Sequence, residues 1–143
     1  MKQVTCVIQP TPPTSGTLPL SDNLDVVTCR QTVREIAATL NFSLTAQTML
    51  VTAASELARN TLIHGGGGRI HWEVISAGNK RGVRLSFEDN RPGIPDIECA
   101  MANGWTSGKG LGLGLPGAKR LVNEFDIQSM PGRGTRVTIT RWQ

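Results

Sequence analysis

The sequence predicts a two-layer α/β sandwich, a mixed β-sheet with helices on one face. Three observations lead there. Two long helical patterns occupy roughly 21–40 and 45–63. Two alternating apolar–polar runs, "RIHWEVIS" and "GVRLSFE", follow and are joined by "AGNKR". A third helical pattern then leads into a second alternating pair, "FDIQSM" and "TRVTITRW", turning at "PGRG". Helices interleaved with hairpins bury their apolar sides best as one layer on one face of a sheet. A chain of 143 residues suits a single domain, 1–143, with a single core.

Taken in order, "QVTCVIQ" (Gln3 to Gln9) alternates and is β-branched, which predicts a strand. Residues 10–20 read as a flexible connector, since "PTPPTSGTLP" (Pro10 to Pro19) is Pro, Ser, Thr and Gly apart from Leu18. Ser21 and Asp22 are both competent N-caps for a first helix ending near Leu40. A second helix runs from about Thr45 to Ile63 and stops at "HGGGG", where four glycines cannot sustain it. The first hairpin covers 69–88, and "DNRPGIPD" is a turn-rich loop before a short helix near Ile97 to Ala102. A helix from about Leu113 to Glu124 and the final hairpin complete the chain.

Composition narrows the function classes. Cys6, Cys29 and Cys99 are odd in number, widely spaced and without a CxxC pair, as expected of buried, reduced thiols in a cytoplasmic protein. The N-terminus has no signal-like apolar run, and no stretch nears the ~20 apolar residues that cross a bilayer, so no membrane partner is expected. A formal charge of +4 is spread along the chain, and aromatic residues for base stacking are few. Nucleic acid is therefore not expected, while an anionic nucleotide or an acidic protein suits the charge equally.

The run "SGKGLGLGLPG", Ser107 to Gly117, resembles a phosphate loop. A Walker A loop is excluded twice: the spacing from Gly104 to Gly108 is one residue short, and Gly110 stands where a hydroxyl should follow Lys109. Gly112, Gly114 and Gly117 satisfy G-x-G-x-x-G, but a loop rather than a strand precedes them, which excludes a dinucleotide fold. A third reading is a loop that closes over a triphosphate and feeds a helix N-terminus, with Leu111, Leu113 and Leu115 anchoring it. An ordinary glycine-rich turn before a helix has the same signature.

Upstream, "SELARN" sets Glu56 and Asn60 four residues apart on one helical face, flanking the stripe Leu50, Ala54, Leu57 and Thr61. His64 extends that line, and Arg59 points away from the stripe. A carboxylate and an amide oxygen so placed could hold Mg²⁺ and orient a nucleophile, or could be a solvated surface pair. Asp89 emerges at the end of the Val83–Leu85–Phe87 strand, where it could accept a hydrogen bond from an exocyclic amine or simply form a turn. Pro92, Gly93 and Ile94 would wall the pocket beneath it.

In this order, "SELARNTLIHG", "EDNRPGIPD" and "GLGLGLPGAKRLVNEF", closed by "PGRGT", resemble the N, G1 and G2 boxes of the GHKL ATPases, whose fold is the Bergerat α/β sandwich. Within that superfamily the chain looks most like the RsbT-type switch kinases, over essentially its whole length. The resemblance implies ATP and Mg²⁺ as cofactors. It implies Glu56 as general base, Asn60 as the magnesium ligand, and Asp89 with Gly93 and Ile94 at adenine. It also implies Gly110, Gly112 and Gly114, with Leu111 and Leu113 between them, as a phosphate lid, and Thr135 as an adenine contact through water. Lys109, by its charge alone, could meet a γ-phosphate beside the lid or remain solvated. Arg91 departs from the D-x-G-x-G pattern of the G1 box, at its first glycine. The implied activity is a serine/threonine protein kinase of a stressosome-type partner-switching module, acting in trans on a STAS-domain protein. A phosphatase or a sigma-factor regulator is a further implied partner. The alternative is a nucleotide-binding anti-sigma factor or a partner-switch adaptor weak in catalysis, which Arg91 favours.

Overall fold

The computed structural model describes residues 13–89, 114–130 and 134–143. The strand expected at Gln3–Gln9, the short helix near 97–102 and the turn at 131–133 lie outside those residues, as do Cys6 and Cys99. The described chain runs β1 (Ser15–Leu20), α1 (Asn23–Thr39), α2 (Leu44–His64), β2 (Gly68–Ala77), β3 (Lys80–Asp89), α3 (Gly114–Arg120), β4 (Glu124–Met130) and β5 (Gly134–Trp142). One five-stranded sheet has the order β1-β2-β3-β5-β4. Each of its four pairings is antiparallel, so the parallel pairing that a mixed sheet anticipates does not occur among the described strands.

Strand alternation gives the sheet two different faces. Leu18, Ile70, Phe87, Val137 and Ile127 form one cross-strand row, and Gly16, Trp72, Leu85, Ile139 and Phe125 form the next. These rows face α1 and α2 and build one core with Val26, Cys29, Val33, Leu50 and Leu57. The opposite face is polar. Glu88 there bridges Arg69 at 2.8 Å and Arg136 at 3.0 Å, and Arg84 reaches Glu73 at 3.4 Å. Ion pairs this exposed contribute little stability; their use is to keep that face in water.

The helices start and stop where local chemistry requires. Asp22, rather than Ser21, is the N-cap of α1: its carboxylate accepts the Asp25 N–H at 3.0 Å, and Asp25 in turn accepts the Ser21 N–H at 2.7 Å. Asn41 has φ 61° and closes α1, with its own N–H on the Ala38 carbonyl and that of Phe42 on the Ala37 carbonyl. Ser43 then caps α2 through its hydroxyl, which accepts the Ala46 N–H. α2 is buried on most sides, with Ala53, Ala54 and Ala58 small enough to let its neighbours come close.

Two expectations are corrected. Ser15–Leu20 are not connector but strand β1, antiparallel to β2. Leu18 and Leu20 alternate inward among polar and turn-forming residues, and Pro19 is tolerated because β1 pairs on one side only among the described strands. The helix expected to reach Glu124 stops at Arg120. The Leu121 N–H closes on the Ala118 carbonyl, the Asn123 N–H crosses to the Thr140 carbonyl, and Glu124 joins β4 opposite Thr140. Glu124 also accepts the Trp142 indole N–H at 2.9 Å, so it serves as a sheet anchor.

Cys29 is fully buried in α1, and burial pushes its thiol from the ordinary 9.0 up to about 12. Between those values the unfolded chain gives up this proton and the folded chain keeps it, so folding stability from this group declines as pH rises from 9 toward 12. The decline is at most about 1.4 kcal/mol per pH unit. Urea denaturation at stepped pH is expected to show wild type losing stability faster than Cys29→Ala above pH 9; parallel curves would contradict this.

Candidate active site

α2 carries the first part of the site. Leu50, Ala54, Leu57 and Thr61 are buried as one stripe, and Glu56, Asn60 and His64 lie half-buried on its flank at successive turns. Arg59 is exposed, but its guanidinium turns back to Glu56 at 3.4 Å, an i,i+3 pair on the same helix. The Glu56 carboxylate thus stands beside a cation of its own helix. Such a pair adds little stability.

The second part comes from the sheet. Asp89 is the last residue of β3, and its carboxylate accepts the backbone N–H of Thr135 at 3.2 Å. Thr135, at the start of β5, is buried, and its hydroxyl shares a hydrogen bond with Ser129 of β4 at 2.9 Å. The Asp89 side chain also lies against Gly65, the residue that ends α2. One end of the sandwich therefore gathers the C-terminus of α2, the end of β3 and the start of β5.

α3 supplies the third part. It opens on Gly114, within the glycine run, and packs against α2, with Leu115 and Ala118 buried. Leu115, expected to anchor a loop, is buried as the second residue of this helix. Gly93, Ile94, Lys109, Gly110, Leu111, Gly112 and Leu113 lie outside the described residues, as does Arg91. Among the sequence-derived candidates, the structure brings Asp89 and Thr135 into direct contact and places Glu56 and Asn60 on the helix that ends at Asp89.

Sequence reasoning missed Ser129 and Gly65. Ser129 is paired with Thr135 through a hairpin register that no local pattern encodes. Gly65 was legible only as a helix stop within "HGGGG", although four glycines exceed what a stop requires.

The donor set decides what could bind. A carboxylate and an amide oxygen on one helical face are hard oxygen donors, suited to Mg²⁺, which takes one or two protein ligands and completes its shell from phosphate and water. Among the described residues, no cluster of three or more His, Cys, Asp or Glu could hold a metal by itself. A metal held at Asn60 could complete its shell from phosphate oxygens and water. An acceptor-only carboxylate at Asp89, partly satisfied by a backbone amide, suits an amine-bearing heterocycle.

This arrangement defines a class. The family model described as "Histidine kinase-, DNA gyrase B-, and HSP90-like ATPase" matches residues 45–142, and the chain belongs to that ATPase family. Among individual relatives, it is similar to the serine/threonine-protein kinase RsbT of Bacillus subtilis (strain 168), at 42% identity over 118 residues, covering 82% of this chain and 89% of that protein. It is also similar to the anti-sigma F factor of Thermoanaerobacter sp. (strain X514), at 32% identity over 119 residues, covering 79% and 82%. The crystal structure of the RsbU and RsbW domains of a Mycobacterium tuberculosis protein superposes with a TM-score of 0.61 at 28% identity, covering 92% of this chain and 32% of that one. No helix among the described residues is long and apolar enough to cross a membrane.

Removing the Asp89 side chain leaves the buried Thr135 amide without its acceptor. Asp89→Ala is expected to lower the unfolding free energy by about 1–3 kcal/mol, read from urea denaturation of the unliganded protein. An unchanged midpoint and slope would show that the contact does not hold β5 to β3.

Proposed function

We propose that the protein is an ATP-dependent serine/threonine protein kinase of a cytoplasmic partner-switching module, acting in trans on a STAS-domain protein. The observation that carries this reading is the 42% identity, over most of both chains, to a protein named as a serine/threonine kinase. The convergence of α2, β3 and β5 at one end of the sandwich supports it.

In this reading the γ-phosphoryl group leaves the β,γ-bridging oxygen of ATP and bonds to a serine or threonine hydroxyl, releasing ADP. Positioning and charge neutralisation carry most of such a reaction. Asp89 accepts the exocyclic amine of the base, with Thr135 fixing the carboxylate and Gly93 and Ile94 lining the wall beneath. Asn60 offers its amide oxygen to Mg²⁺, which neutralises phosphate charge when bound. Glu56 orients the incoming hydroxyl and takes up its proton, and Arg59 stands beside that carboxylate. Gly110, Leu111, Gly112, Leu113 and Gly114 are the proposed phosphate-binding residues, and Lys109 the proposed cation for the γ-phosphate. A phosphatase or a sigma-factor regulator is a second partner of the same module.

A second reading has specific support. Arg91 replaces the first glycine of the G1 pattern, and relatives named anti-sigma F factor match at 32% identity. A nucleotide-binding adaptor that holds its partner without turnover would keep the same pocket.

Labelled ATP incubated with the protein and a panel of STAS-domain proteins separates the two. A kinase transfers label to a serine or threonine of one partner. An adaptor retains nucleotide and transfers none. Glu56→Ala is expected to bind Mg-ATP within about threefold of wild type and to transfer phosphate about 10²–10⁴ times more slowly. Wild-type transfer by Glu56→Ala would remove the general base from this scheme.

A further inference from the structure

α2 ends on a glycine that its backbone does not need. Gly65 has φ −90° and ψ −7°, the right-handed region open to every L-residue, and its N–H donates to the Thr61 carbonyl as a helix end should. Gly66 and Gly67, at φ 72° and 106°, are the residues whose conformation favours glycine as the chain turns into β2. On helix propensity alone, alanine at position 65 would be preferred.

What excludes alanine is a neighbour. A Cβ on Gly65 would stand 2.5 Å from Cβ, Cγ and Oδ2 of Asp89, far inside the ~3.5–4 Å separation of non-bonded carbon atoms. Gly65 is buried, so the added group has no open side to turn toward. Rotating the Asp89 side chain gives no relief, because its Cβ is fixed to the β3 backbone. On its other side the carboxylate takes the Thr135 N–H at 3.2 Å. Asp89 is held between a bare helix end and a strand amide.

We propose that Gly65 is a positioning residue for base recognition: its missing side chain sets where the Asp89 carboxylate stands, and hence which purine the site accepts. This rests on the assignment of Asp89 to the nucleotide base. A carboxylate only accepts hydrogen bonds, so it matches the exocyclic amine of adenine and opposes the carbonyl that guanine carries at that edge. Discrimination of this kind holds only while the acceptor is within about 3 Å of its donor. Moving Asp89 away from Gly65 takes it out of that range. The same contact joins the base-reading acid to the helix of Glu56 and Asn60, so base and phosphate ends of the site are set by one packing event.

The test is titration calorimetry of the full chain with Mg-ATP and with Mg-GTP, for wild type and Gly65→Ala, beside thermal melts without nucleotide. Wild type is expected to prefer Mg-ATP. Gly65→Ala is expected to bind Mg-ATP about tenfold or more weakly and to bring the two affinities together, in a protein that still melts cooperatively but at a lower temperature. A lowered melt with the ATP-to-GTP ratio intact would assign Gly65 a merely structural role and overturn the proposal. So would wild-type affinity and ratio in the folded variant; either result leaves the Asp89 assignment standing. A wild type that binds nucleotide without preferring Mg-ATP overturns the Asp89 assignment itself, and the proposal with it. Should Gly65→Ala fail to fold, Gly65→Ala/Asp89→Gly removes the obstructing atoms. A restored cooperative melt supports the contact, and continued failure contradicts it.

Discussion

The close approach of the end of α2 to the end of β3 is the constraint on which the candidate site depends. α2 is buried on most sides, and Ala53, Ala54 and Ala58 leave it no slack against its neighbours. A helix so enclosed moves only if the core opens, because interiors packed at crystal-like density resist sliding. Its flank residues, Glu56 and Asn60, therefore hold a definite position relative to the sheet. At its last turn the missing side chain of Gly65 lets Asp89 sit against the helix, and Thr135 ties that acid to the next strand.

The two faces of the sheet divide the labour. One face, through Ile70, Leu85, Phe87, Val137 and Ile139, binds the helices and fixes the site. The other spends its side chains on exposed ion pairs around Glu88 and Arg84, which add little stability and keep the surface in water. The candidate site lies at the rim where the ends of α2, β3 and β5 meet. α3 follows the same economy: it packs against α2, with Leu115 and Ala118 buried.

Much of this was legible in the sequence because the signals were local and redundant. Caps, periodicity and breakers agree for α1 and α2, and alternation marks β2 and β3, although the turn closes on Gly78 and Asn79 alone rather than across all of "AGNKR". The stripe from Leu50 to Thr61 predicted which flank Glu56 and Asn60 occupy. β1 was hidden because a strand paired on one side only, as β1 is among the described strands, can carry proline and polar residues that a central strand cannot. The end of α3 was hidden because "LVNE" suits a helix equally well; only the crossing from Asn123 to Thr140 decides it, and that is a contact across the sheet. Gly65 and Ser129 owe their significance to neighbours 24 and 6 residues away, which no single-residue preference reports. Arg59 faces away from the buried stripe, and its reach back to Glu56 follows from i,i+3 charge spacing, which a burial pattern does not report.

The most direct test of the central claim is an amide-resolved NMR titration of the protein with Mg-ATP. The account predicts that Asn60, Gly65, Asp89, Thr135 and the first residues of α3 shift together and saturate along one binding curve. Shifts that instead gather at the opposite end of α2, around the cleft of Ser43, Lys80 and Arg141, or that leave Asp89 and Thr135 unmoved at saturation, would contradict it.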